Sequence, residues 1–248
     1  MKRHIPNFLT LLNLFCGSIA VIFVLNDNFV TASLFVFLGI FFDFFDGFAA
    51  RKLNVQSELG IQLDSLADMV TSGLVPGLMM FQLIRLTESS WKFVGDDPTA
   101  ESLFGFSDIT LWPMFGLLIT LASAYRLAKF NIDEDQQNYF KGLPTPANTL
   151  LIISFPLILE FQNHDLMNSI IINKWFLIVL TLLSCYLLNS NIKLFALKFK
   201  DWGFKSNATR YIFIILCFVL LIVLKFAAIP IIVAVYIMMS LIDNLTTK

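Results

Sequence analysis

The stretch from Asp43 to Asp68, DFFDGFAARKLNVQSELGIQLDSLAD, places four aspartates among strongly apolar runs. Asp43 and Asp46 are three residues apart, and Asp64 and Asp68 four apart. Either spacing returns side chains to one helical face, so Asp43, Asp46, Gly47 and Ala50 share one stripe and Gly60, Asp64 and Asp68 another. Carboxylates crowded next to a bilayer repel one another and are costly to keep charged, so a cation must compensate them. Hard divalent ions such as Mg²⁺ or Mn²⁺ take oxygen ligands and keep positions open for water and phosphate. Gly47, Ala50 and Gly60 leave room for a ligand to lie against the backbone. The competing reading is a set of helix-end acids facing water or paired with Lys and Arg, and four acids at these intervals weigh against it.

The elements that must position these residues are membrane helices. Hydrophobic residues make up 57% of the 248 and charged ones only 14%, outside the balance of a soluble domain. The length allows one helical bundle, read as a single membrane domain over residues 1–248, because each crossing needs about 20 residues. A formal net charge of -1 argues against nucleic-acid binding. Cys16, Cys185 and Cys217 are scattered through apolar runs without metal-ligand spacing and read as packing residues.

The apolar runs predict an all-α polytopic transmembrane bundle of about eight spans. A retained first helix covers Ile5 to Leu25, opened by Pro6 and closed by the turn Asn26-Asp27-Asn28. The second, Phe29 to Ala50, carries the first acidic pair at its far end; the third, Leu59 to Leu83, carries the second pair at its beginning. Arg85 to Asp108 reads as a polar loop with a short interfacial segment around Trp91. Further spans are expected over Ile109–Phe130, Ala147–Phe161, Trp175–Leu188, Tyr211–Leu224 and Ala227–Ile242. They are separated by a rigid turn at Lys141 to Pro146, a polar connection from Gln162 to Asn173, a Lys-rich loop from Asn189 to Arg210, and a tight turn near Lys225. With the N-terminus cytoplasmic, this map puts 13 of the 17 Lys and Arg inside, the positive-inside bias of a multi-pass cell-membrane protein with both termini cytoplasmic. The acidic cluster then lies at the cytoplasmic ends of helices 2 and 3.

Asp43-x-x-Asp46-Gly47-x-x-Ala50-Arg51, eight residues, Gly60, three residues, Asp64, three residues and Asp68 resembles the complete signature of the CDP-alcohol phosphatidyltransferases, with no position departing from it. The resemblance implies transfer of a phosphatidyl group from CDP-diacylglycerol to an alcohol, with CMP leaving. It also implies metal ligation by Asp43, Asp46, Asp64 and Asp68, with Asp68 taking the proton of the incoming hydroxyl. CDP-diacylglycerol contacts are implied for Gly47, Ala50, Arg51 and Gly60, with Ser57 a weaker candidate. Pro6-Asn7-Phe8-Leu9-Thr10 resembles the nucleotide-contacting entry to the first helix, where Asn7 and Thr10 could bond the cytidine; helix capping by Asn7 is the alternative. A homodimer is common in the family.

Ser123 to Asn131 and Lys141 to Ala147, together with Pro6 to Gly17, resemble the multi-spanning branch that uses L-serine as acceptor. Arg126 could meet a carboxylate or phosphate with its planar fork, assisted by Lys129 or Lys141; anchoring at the membrane interface is the alternative. Glycerol 3-phosphate or an inositol phosphate would be other acceptors, but a phosphorylated acceptor needs a stronger basic pocket. A divalent-cation transporter, the reading from another class, would want acids near mid-bilayer and paired half-helices. Here they cluster at one face beside Arg51.

Overall fold

A computed structural model describes residues 4–89, 111–132, 140–162, 164–194 and 208–246. The chain is mostly helical, with α1 Ile5–Leu25, α2 Phe29–Lys52, α3 Glu58–Asp68, α4 Val75–Ser89, α5 Leu118–Ile132, α6 Thr145–Phe161, α7 Asp165–Ile171, α8 Lys174–Asn189, α9 Ala208–Leu224 and α10 Ala228–Thr246. A π-helical turn, Met69–Leu74, joins α3 to α4, and a 3₁₀ turn, Trp112–Leu117, precedes α5.

Local chemistry sets the helix ends around the acidic stretch. Pro6 sits in the first turn of α1, where its missing N–H costs nothing. The Asn28 side chain caps α2 by accepting from Thr31 N at 3.2 Å. At the other end of α2, Arg51 and Lys52 lie in the last turn, where cations suit the helix dipole, and Asn54 takes a left-handed φ of 53°. The Ser57 hydroxyl then caps α3 by accepting from Gly60 N at 3.1 Å. The start of α1, the end of α2 and the start of α3 therefore meet at one end of the bundle. At the opposite end, Arg85 of α4 pairs with Asp27 at 2.7 Å.

The π turn is the joint on which the packing closes. Thr71 is fully buried, and a Cβ on Gly17 of α1 or Gly39 of α2 would collide with it, so these glycines are what let three backbones approach closely. Threonines from two sides bond to the turn, and its own Thr71 bonds outward to α1. Thr71 Oγ1 donates to Asn13 O at 3.2 Å, Thr149 Oγ1 of α6 to Ser72 O at 3.0 Å, and Thr120 Oγ1 of α5 to Gly73 O at 3.1 Å. The hydroxyls of Thr149 and Thr120 thus satisfy carbonyls that a widened helix leaves exposed, as they must where water is scarce.

Among the described residues, four helical runs are long and apolar enough to cross a membrane: Ile5–Leu25, Phe29–Lys52, Glu58–Glu88 and Arg210–Ile242. The pair Asp165–Ile171 and Lys174–Asn189, bent by 64°, makes a fifth if it is one span. The last run reverses within itself at Lys225, which has a left-handed φ of 49°. The rings of Phe213 and Tyr236 consequently lie 5.6 Å apart, a contact that a straight helix forbids at 1.5 Å rise per residue.

The structure corrects the expected connections. Arg85 to Ser89 extend α4 instead of opening a loop, because Thr87 is buried and bonds back to Ile84 O at 2.7 Å. Residues 90–108, with the expected Trp91 segment, lie outside the described residues. The polar connection after α6 contains α7, and the expected loop from Asn189 contains a strand. That strand, β2 Lys193–Leu194, pairs antiparallel with β1 Phe140–Lys141, a short ladder in a bundle expected to be all helical. The ladder forms because Gly142, at φ +75°, turns the chain so that Gly142 N donates to Ile192 O and Leu143 N to Leu187 O, both at 2.9 Å. The basic loop's Lys198, Lys200 and Lys205 lie outside the described residues.

A Cβ on Gly142 would meet the carbonyl oxygens of Leu188 and Ser190 at 2.6 and 2.9 Å. Gly142→Ala is therefore expected to destabilise the protein by about 1–3 kcal/mol, from the left-handed φ and the clash together. A thermal melt of the detergent-solubilised variant checks this, and a midpoint equal to wild type contradicts it.

Candidate active site

The acidic stripes face each other at the end of the bundle where α1, α2 and α3 meet. One carboxylate oxygen from each of Asp43, Asp46 and Asp64 lies within 4.8 Å of the others. Asp46 is buried, at 6% exposure, and Asp43 and Asp64 are half-buried. Asp64 Oδ1 is buried without a hydrogen-bond partner. Three hard oxygen donors this close together, with Asp64 Oδ1 buried and unsatisfied, fit a divalent cation, so the triad could hold one.

Among the described residues Asp68 does not join this group. It ends α3, where the π turn begins, and its Oδ1 accepts from Asn13 Nδ2 at 3.2 Å. Asp46 is oriented in a similar way, since the Thr10 hydroxyl donates to its Oδ2 in a very short hydrogen bond. Thr10 and Asn13 lie three apart on one face of α1, which thereby gives one donor to each acidic helix.

A cleft of about 560 Å³ opens beside the triad. Its lining includes Asn7, Thr10, Gly47, Ala50, Arg51, Ser57 and Gly60, which are all the residues expected to contact CDP-diacylglycerol, together with Asp46 and Asp64. Arg51 is exposed, and its Nε donates to Gly47 O at 3.0 Å, which lays the guanidinium along the rim. A Cβ on Gly60 would sit 3.2 Å from Ser57 Oγ and 3.4 Å from Asn7 Oδ1, so a side chain there would press on the Ser57 cap. A Cβ on Gly47 would meet only Arg51 Nη2, at 3.9 Å, so the free protein has room there.

The three candidate acceptor residues also converge. Arg126, Lys129 and Lys141 line a second, small pocket with Phe130, Leu188, Asn189 and Ser190. Arg126 is buried at 8% exposure, and its Nε has no hydrogen-bond partner. Its guanidinium is close enough to Asp68 for the two charges to act on each other. Phe130 lines both pockets. Beside it Asn131 Nδ2 donates to Ser65 Oγ at 2.9 Å, tying α5 to the acidic helix α3. His4 and His164 are both exposed and not among the residues lining either pocket.

Asn13 and Phe130 are site residues that the sequence reading does not pick out. Asn13 carries a usable signal, as a polar residue inside the apolar run of α1 one turn beyond Thr10. Phe130 is one of 27 phenylalanines, and nothing in its spacing singles it out.

Residues 3–186 match the CDP-alcohol phosphatidyltransferase family. The matched stretch covers the triad and every residue lining the cleft, and it stops within α8, short of Leu188, Asn189 and Ser190 in the small pocket. The chain belongs to the CDP-alcohol phosphatidyltransferase family. Among its relatives is the CDP-diacylglycerol–serine O-phosphatidyltransferase of Bacillus subtilis (strain 168), 36% identical over 155 residues, spanning 62% of this chain and 76% of the relative. The enzyme of the same name from Helicobacter pylori (strain ATCC 700392 / 26695) is 30% identical over 216 residues, 86% of this chain and 81% of the relative. Another from Methanocaldococcus jannaschii is 28% identical over 167 residues, 67% and 66% of the two chains.

Two substitutions test the site. Thr10→Val keeps the shape and removes the donor to Asp46, and should weaken divalent-cation activation about tenfold, as loss of a ligand's supporting hydrogen bond typically does; an unchanged Mg²⁺ or Mn²⁺ activation curve contradicts it. Gly47→Ala has room in the free protein, so it should fold normally yet raise KM for the nucleotide-linked lipid about tenfold by crowding the ligand. A KM within twofold of wild type would remove Gly47 from the contact surface.

Proposed function

We propose that the protein transfers the phosphatidyl group of CDP-diacylglycerol to the hydroxyl of L-serine, giving phosphatidylserine and CMP. The observation that carries this reading is the meeting of an acidic triad with a cleft lined by all seven residues expected to contact CDP-diacylglycerol. The choice of serine is supported by the relatives named above and by the buried, partly unpaired guanidinium of Arg126 in the neighbouring pocket.

Asp43, Asp46 and Asp64 would hold Mg²⁺ or Mn²⁺, with Asp68 beside them as a further ligand. When bound, such an ion neutralises diphosphate charge and lowers the cost of deprotonating a nearby hydroxyl. Gly47, Ala50 and Gly60 let the cytidine diphosphate lie against the helix backbones, with Asn7 and Ser57 as polar contacts and Arg51 at the phosphates. Arg126 holds the carboxylate of serine by its planar fork, and Lys129 and Lys141 add positive charge. The serine oxygen forms a bond to the lipid-side phosphorus, the bond from that phosphorus to the bridging oxygen breaks, and CMP departs with the electron pair. Asp68 takes the hydroxyl proton. Positioning and charge stabilisation supply most of the acceleration in such a transfer.

The reading also carries a membrane arrangement: one domain with eight crossings, both termini cytoplasmic and the site at the cytoplasmic ends of α2 and α3. The crossings are α1, α2, the run from α3 through α4, α5, α6, α8, α9 and α10, with a homodimer as the assembly. The reversal between α9 and α10 supports two crossings in the last apolar run.

Purified protein with CDP-diacylglycerol should release CMP when L-serine is added and not with glycerol 3-phosphate or an inositol phosphate. EDTA should abolish release, and excess Mg²⁺ or Mn²⁺ should restore it. Release that depends on a phosphorylated acceptor instead would reject serine and keep the reaction class.

A further inference from the structure

We infer that Asn13 is a positioning residue, whose amide holds the carboxylate of Asp68 in the orientation that receives the acceptor's proton. The inference rests on the role proposed above for Asp68. It starts from an imbalance in burial. Asn13 is fully buried in the middle of α1, where its neighbours in sequence are leucines. Its Nδ2 donates to Asp68 Oδ1 at 3.2 Å, while its own Oδ1 is buried without a partner. An orphaned amide oxygen costs stability that a leucine at the same place would not.

The surrounding backbone is shaped to hold this amide. A Cβ on Gly39 of α2 would come within 2.9 Å of Asn13 Oδ1, so the facing helix leaves space for it. Thr71 Oγ1 donates to Asn13 O at 3.2 Å and ties this level of α1 to the π turn that follows Asp68. The amide engages Asp68 Oδ1 and leaves Oδ2 for another partner. An aspartate at position 13 would be an acceptor facing a carboxylate, and a leucine would take away the hydrogen bond to Oδ1 and leave Arg126 as the charged neighbour that orients Asp68. Thr10 does the equivalent for Asp46 one turn earlier on α1, so this helix aligns both acidic helices without lending a carboxylate of its own.

The test compares Asn13→Leu with wild type in the full-length, detergent-purified protein, reading thermal midpoint, kcat and KM for CDP-diacylglycerol. Asn13→Leu removes one orphaned oxygen but also takes the donor from Asp68 Oδ1, so its thermal midpoint is read only to confirm folding. Its kcat should fall about tenfold or more, with KM within twofold, as expected for loss of an oriented proton acceptor. A kcat within twofold of wild type, or a loss that appears only in KM, overturns the inference. If Asn13→Leu does not fold, Asn13→Ala is judged by the same kcat and KM limits. Asp68→Asn separates the two levels. Full activity in Asp68→Asn removes the role on which the inference rests and the inference with it, whereas an inactive Asp68→Asn beside a fully active Asn13→Leu overturns the role of Asn13 alone.

Discussion

Repulsion among carboxylates is the constraint that the rest of this structure answers. Three oxygens held within 4.8 Å of one another repel, when ionised, by on the order of 3 kcal/mol per pair at a surface-like effective dielectric. Helices free to slide would relieve that strain by separating. Close helix contacts and hydrogen bonds hold the bundle together against this. Gly17 and Gly39 bring α1 and α2 against Thr71, and threonines from α5 and α6 fasten the π turn from the other side. A divalent cation seated among the three oxygens would offset that repulsion.

The π turn has a second consequence, for geometry. It begins immediately after Asp68, so the last carboxylate sits where regular helical hydrogen bonding gives way. Asp64, one turn earlier in α3, points into the triad, while Asp68 meets Asn13. One helix thus presents two carboxylates in different surroundings. Such a difference suits a site that must both hold a cation and accept a proton.

The acidic stripes are legible in the sequence because their residues lie three or four apart on two consecutive helices, and the cleft beside them is legible through the family resemblance, which includes Asn7 and Thr10 of α1. Local periodicity fixes their faces, and one short turn brings the faces together. What cannot be read depends on residues distant in the chain. The π turn owes its exposed carbonyls' partners to Thr120 and Thr149, and the β1–β2 ladder joins residues about fifty positions apart. The small pocket combines Arg126 and Lys129 of α5 with Lys141 and the end of α8, so the basic residues are identifiable from sequence but their back wall is not. Asn13 escapes notice because an apolar run draws attention to its length, and its partner lies 55 residues away.

Manganese binding by the purified protein, followed by the loss of the free-ion electron paramagnetic resonance signal, tests the central claim most directly. Wild-type protein should take up the ion saturably without any substrate, and Asp64→Asn, folded to the same thermal midpoint, should bind it far more weakly. Equal uptake by the two proteins would show that the triad does not hold the ion.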